Sequence, residues 1–238
     1  QDFSWPPSSK IESPMLTALA FILFNVAAYI MALARSPYWA LLAYTNIYFN
    51  TPVPEINWWA GYLPFDRWAL LTSAVLILSV TIHWKNLSDR KLGSANWAFV
   101  FFFVSLVVTF TLAINQENAN RLQYTLFTYC LIIFIMIKSI VDERQLRWFF
   151  LAVIAMATNL SINAWLYGKR VNDRLEGIGA TDSAGANEFG LLLVSLVPFL
   201  AVLFVNGKNY ERIVCFLAAP FILNAFIPGI VDQDANNN

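Results

Sequence analysis

The sequence predicts an all-α fold, a polytopic transmembrane helix bundle with about eight membrane helices by the ~20-residue spanning rule. Three observations carry that expectation. Hydrophobic residues make up 58% of the 238-residue chain and charged residues only 13%, where a soluble domain carries roughly a quarter charged residues. The apolar residues fall in continuous blocks, not in the alternating ten-residue segments of a membrane β-barrel. Lysine and arginine collect in every second connection between blocks, as the positive-inside rule describes.

The chain opens with a polar, proline-containing tail over 1–14, which has neither the basic start nor the small-residue cleavage site of a signal peptide. Spans are expected at 15–34, 68–84, 96–114, 122–141, 148–166, 189–205 and 213–227. Hydrocarbon offers no partner for backbone N–H and C=O groups, so these blocks must be helices. At ~1.5 Å per residue most of them can cross a core of ~30 Å. An eighth segment, 38–49, is short and aromatic and reads as a tilted or partly inserted helix. The helical domain thus covers 15–227, with a polar outer loop at 167–188, and a polar tail follows at 228–238.

Charge placement orients the bundle. Lys85, Arg90 and Lys91 fall in one turn, Lys138, Arg144 and Arg147 in a second, and Lys208 and Arg212 in a third. These alternate turns define the side expected to be cytoplasmic. The opposite turns, 115–121 and 50–66, carry one cation and none. Parity then puts Arg35 inside and the N-terminus outside. The exception is the connection 167–188, with Lys169, Arg170 and Arg174 on the outer side.

For Lys169 and Arg170 the simpler account is snorkelling at the end of a helix. Arg174 differs because it opens a glycine-rich stretch containing Gly177, Gly179, Asp182, Gly185 and Asn187. Glycines there permit tight turns beside a ligand, and Asp182 and Asn187 bracket the start of the next helix, where an Asx side chain caps free N–H groups. An ordinary capped loop has the same composition. Asn25, Asn159, Asn163 and Asn224 lie inside spans, where interhelical hydrogen bonding accounts for them. His83, the one histidine, reads as a residue of a helix end, and Cys130 and Cys215 as small hydrophobes. Trp39, Trp58, Trp59, Trp84, Trp148 and Trp165 read as interfacial anchors. No Walker loop, Ser/His/Asp set or metal-ligand spacing is present in the sequence, and the zero net charge points to no nucleic-acid partner.

Two regions carry a family resemblance. The first is Arg35-Ser-Pro-Tyr-Trp, then the aromatic helix ending in Asn50-Thr-Pro, then Leu63-Pro-Phe opening the next span. The second runs from Arg174 through Gly177, Asp182 and Asn187 into Gly190-Leu-Leu-Leu-Val-Ser-Leu-Val-Pro198. Together they resemble the O-antigen ligase-like family, closest to the exosortase-associated O-glycosylation ligases, from about Ala34 to Ile227. The family's consecutive Asp-Asn-Asn is spread here from Asp182 to Asn187. Family members continue with a Ser-Arg-Gly-like turn, a large periplasmic loop and further spans, whereas the tail after Asn224 is polar. The resemblance therefore implies the N-terminal portion of such a ligase, from a truncated or rearranged reading frame or from a longer chain cut at this point, and inactive by itself.

The resemblance further implies a multi-pass protein of the bacterial inner membrane that transfers a glycan from undecaprenyl diphosphate to a lipid or protein acceptor on the periplasmic side. Neither a nucleotide sugar, a metal nor another cofactor is implied. Arg174 is the residue expected to contact the diphosphate and stabilise its growing charge, because a guanidinium offers paired charge-assisted donors. Lys169, Arg170, Asp182 and Asn187 are the further substrate-binding candidates. A related polysaccharide polymerase, or a non-enzymatic transport or assembly subunit, would have the same membrane scaffold.

Overall fold

A computed structural model describes residues 12–54, 56–57, 59–87, 94–112, 116–167, 169–171, 174–176 and 186–224. The helices are α1 (Glu12–Ala34), α2 (Tyr38–Phe49), α3 (Trp68–Ile82), α4 (Ser94–Thr111), α5 (Gln116–Ser139), α6 (Glu143–Tyr167), α7 (Ala186–Asn206) and α8 (Asn209–Asn224). Single 3-10 turns follow at Ala60–Tyr62 and Trp84–Asn86. The all-α class holds for the body of the chain. A hairpin of two three-residue strands, β1 (Lys169–Val171) and β2 (Arg174–Glu176), stands where an irregular loop was expected.

Three helices are long and apolar enough to cross a membrane, over Met15–Ala34, Glu143–Leu166 and Phe189–Asn206. The expectation of about eight membrane helices is thus corrected to three among the described residues. Length is the reason. α2 has 12 residues and α3 has 15. α8 has 16 residues and begins with Asn209, Glu211 and Arg212.

The short helix α2 is the hub, packed against α1, α3, α5 and α6. Ala40 and Ala43 on α2 and Ala32 on α1 are fully buried, and small residues at these positions let backbones approach closely. α6 in turn packs on α7 and α8. Side-chain pairs fix the helix directions. Tyr29 and Thr72 share a hydroxyl–hydroxyl hydrogen bond, Ser79 Oγ donates to the Ala32 carbonyl at 2.7 Å, and the His83 ring meets the Leu33 carbonyl at 3.1 Å. α1 and α3 are therefore parallel. Tyr38 at the start of α2 donates to the Gln145 carbonyl at the start of α6, so these two are parallel as well. Asn25 departs from expectation: its amide donates to Phe21 of its own helix at 2.8 Å, not across an interface.

One end of the bundle consequently gathers the ends of α1 and α3 with the starts of α2, α6 and α8, and with them Arg35, Lys85, Arg144, Arg147, Lys208 and Arg212. Its helix starts are capped from the sequence. Asp142 precedes α6, and its Oδ1 accepts the Gln145 N–H at 2.6 Å while Gln145 Oε1 accepts the Val141 N–H at 2.9 Å, a capping-box arrangement. At α8 the side chain of Glu211 reaches back to the Lys208 N–H at 2.6 Å. Glu211 is fully buried. It also accepts from Arg147 Nη1 at 3.1 Å and from the Tyr210 hydroxyl at 3.2 Å. Arg147 holds Glu143 as well, at 2.8 Å, so one guanidinium joins the starts of α6 and α8.

Gly207 in the α7–α8 turn makes this closeness possible. A Cβ there would overlap the Leu203 carbonyl oxygen and stand 2.8 Å from Glu211 Oε2. Gly207→Ala is expected to displace the turn and lower thermal stability in detergent by about 1–3 kcal/mol, the range for overpacking. An unchanged melting curve would show that the turn yields freely.

Candidate functional site

The opposite end gathers the starts of α1 and α3 and the ends of α2 and α6. α6 continues directly into the hairpin, so Lys169 and Arg170 in β1 and Arg174 in β2 belong to this end. The strands pair antiparallel with Lys169 opposite Glu176, Arg170 opposite Leu175 and Val171 opposite Arg174. Strand alternation then puts positions 169 and 174 on one face of the ribbon and position 170 on the other. Lys169 and Arg170 stand in β1, two and three positions beyond the end of α6. β2 lies against α7.

Asn187 is the second residue of α7, inside the first turn instead of at the cap position. Asp182, Gly177, Gly179 and Gly185 lie outside the described residues, as do Asp173 and Trp58. Lys169, Arg170 and Arg174 are thus brought together on one short ribbon, and Asn187 enters at the neighbouring helix.

The same end holds a second feature that sequence reading left unassembled. An open cavity of about 210 Å³ is lined by residues that include Thr17 and Phe21 of α1, Asn46 and Asn50 at the end of α2, Trp59, and Asn159 of α6. Asn50 ends α2, its N–H donating to the Asn46 carbonyl at 2.8 Å. Three amides run in series. Asn159 Nδ2 donates to Asn50 Oδ1 at 2.7 Å, and Asn50 Nδ2 donates to Asn46 Oδ1 at 2.8 Å. The interhelical hydrogen bond expected of Asn159 is therefore present. Burial grades along the series from Asn46, 8% exposed, through half-buried Asn50 to exposed Asn159.

Trp59 forms the wall. It is 3% exposed and packs on Phe21 with ring centroids 4.9 Å apart. The expectation that it anchors at a membrane interface is corrected, because Trp59 folds inward over α1. Trp84, Trp148 and Trp165 are exposed, at 62%, 50% and 64%, as interfacial residues are.

Asn46 and Asn50, four apart at the end of one helix and facing an amide on another, were the signal available for this cavity. The hairpin also had a signal in Asn172-Asp173, two turn-forming residues between short flanking segments. Among the described residues no three of His, Cys, Asp and Glu come together as metal ligands would. No family model, curated protein or solved structure matches this chain.

Proposed function

We propose that this chain is a membrane glycan ligase of the O-antigen ligase-like type, working at the outer face of the bacterial inner membrane. The observation that carries the reading is the position of Arg174, Lys169 and Arg170 on a ribbon that extends α6 at the end away from the main cation cluster. Cations on the disfavoured side of a membrane protein call for an anionic partner, and a lipid diphosphate at the headgroup level is one. In this reading the bundle, with its shorter apolar helices completing the membrane domain, is multi-pass, and the outer end is periplasmic.

In the transfer itself an acceptor oxygen or nitrogen attacks the anomeric carbon. The bond from that carbon to the diphosphate oxygen breaks, undecaprenyl diphosphate leaves with the electron pair, and a base takes the acceptor's proton. Charge grows on the departing diphosphate. A guanidinium held there stabilises it more in the transition state than in the ground state, which is what accelerates a reaction. Glu176, across the ribbon from Lys169, is the described carboxylate nearest in register to these cations.

Membranes containing this chain are expected to bind a labelled undecaprenyl-diphosphate glycan weakly without turnover, whereas a full-length relative carrying the same ribbon is expected to transfer the label to a lipid or protein acceptor and release undecaprenyl diphosphate. Binding without any transfer by the full-length relative as well would displace the ligase reading in favour of a transport or assembly subunit. Orientation has its own test in a variant lacking Cys130 and Cys215. Ser183→Cys is expected to react with a membrane-impermeant thiol reagent in intact spheroplasts, and Ser88→Cys to react only after lysis. The reverse pattern would put the ribbon in the cytoplasm and end the proposal.

A further inference from the structure

We infer that the amide-lined cavity at the outer end is a subsite for one neutral sugar ring, the ring linked to the lipid diphosphate. The inference rests on the glycan-transfer reading for the source of the sugar, and on the cavity alone for its chemistry. No charged side chain of the described residues lines the cavity, so it is not built for the diphosphate. What lines it is an amide series and aromatic walls. Each amide offers two donors and a two-lone-pair acceptor. The bonds Asn159 to Asn50 and Asn50 to Asn46 use one donor of each giver and one lone pair of each receiver, which leaves donor and acceptor capacity side by side.

A pair of neighbouring hydroxyls on a pyranose needs that combination, because each hydroxyl both gives and accepts. Asn46 is more than nine-tenths buried and still lines the cavity, and a buried amide requires partners. Phe21 and Trp59, both buried and tilted at 45° to each other, close the apolar side of the cavity. An acyl chain would fill the space and leave the amides dry, at the cost of their unmade hydrogen bonds. The volume sets the size of the occupant. About 210 Å³ is below the roughly 300–1,000 Å³ of pockets for drug-sized ligands and suits a single ring, not a chain of them.

The two outer-end features then divide one substrate: the ribbon takes the diphosphate and the cavity takes the first sugar. The protein in nanodiscs is titrated with undecaprenyl diphosphate alone and with the same lipid carrying glucose, galactose, N-acetylglucosamine or N-acetylgalactosamine. At least one sugar is expected to tighten binding about tenfold, equivalent to ~1.4 kcal/mol. Asn159→Ala, at the exposed mouth, is expected to abolish that preference while leaving the affinity for the bare lipid unchanged. A preference of one across the panel, or one untouched by both Asn159→Ala and Asn50→Ala, would overturn the subsite. So would displacement of the sugar lipid by alkyl chains alone. Methyl glycosides of the same sugars, read by saturation-transfer NMR, separate the two readings. Asn159-dependent glycoside binding without any lipid-diphosphate binding keeps the cavity and removes the ligase, whereas lipid-diphosphate binding with no glycoside signal does the opposite.

Discussion

In a full-length relative carrying the same ribbon, replacing the arginine that matches Arg174 with alanine is expected to reduce glycan transfer in membranes by about 10²–10³-fold, the cost of removing one preorganised donor to developing charge. Lysine at the same position is expected to restore only part of the loss, because an ammonium is a point charge and cannot present paired, planar donors to two phosphate oxygens. The informative control is Lys169→Ala. Position 169 shares the ribbon face with position 174, so any general electrostatic attraction to the membrane surface would be weakened equally by either change. A drop of a few-fold at 169 against the large loss at 174 is the expected contrast. Equal, small effects at both would assign these cations to the headgroup surface and leave the ribbon without a chemical role.

The second large effect is expected at the other end. Glu211→Ala removes the acceptor for the Lys208 N–H and the partner of Arg147 across helices, and is expected to cost about 1–3 kcal/mol of stability, as for other polar groups left without a partner on burial. The pH dependence follows from the carboxyl's surroundings. Burial opposes its ionised form, but the Lys208 N–H, the Tyr210 hydroxyl and the Arg147 guanidinium together outweigh burial and hold the carboxyl below its ordinary value. A carboxyl depressed in the folded state adds stability that is complete above its ordinary value and lost as pH falls through the depressed one. The wild-type chain in detergent should therefore melt later than Glu211→Gln at pH 7, and the gap should close only in strongly acidic buffer. A gap independent of pH would mean that Glu211 acts by shape instead of by charge.

Helices were the legible part of this sequence, and the reason is physical. A continuous apolar run has one backbone solution in hydrocarbon, so α2 appears at the expected 38–49 and the other helices within a few residues of their expected bounds. Spanning was less legible at α2 and α3, whose apolar blocks form helices of only 12 and 15 residues. Trp59 shows a related limit. An aromatic residue beside a helix end has the same composition signal whether it faces headgroups or folds over a neighbouring helix, and only the Phe21 contact decides. The site was half legible. Arg174 stood out by being on the wrong side of a charge pattern. The amide series did not, since Asn159 is 109 positions from Asn50, and a lone asparagine in an apolar run carries no label of its partner. Glu211 was missed for the complementary reason: one acidic residue among the cations of a turn looks solvated, yet it is the group that the turn is folded around.

The brevity of α2 has a consequence for the surrounding lipid. At ~1.5 Å per residue, its 12 residues rise only ~18 Å, against a hydrocarbon thickness of ~30 Å. A helix so enclosed by its neighbours cannot be reached by acyl chains above its last turn, and irregular backbone at that depth persists only where protein or water surrounds it. In the proposed orientation, the end of α2 at Asn50 would lie below the headgroup level on the side of the ribbon. A polyprenyl lipid approaching along the bilayer could then present its head group sideways, below the plane of the phospholipid phosphates, while its tail stays in the membrane. The protein would work in a dimple of its own making, where the distance between an oily tail and a wet reaction centre is shortest.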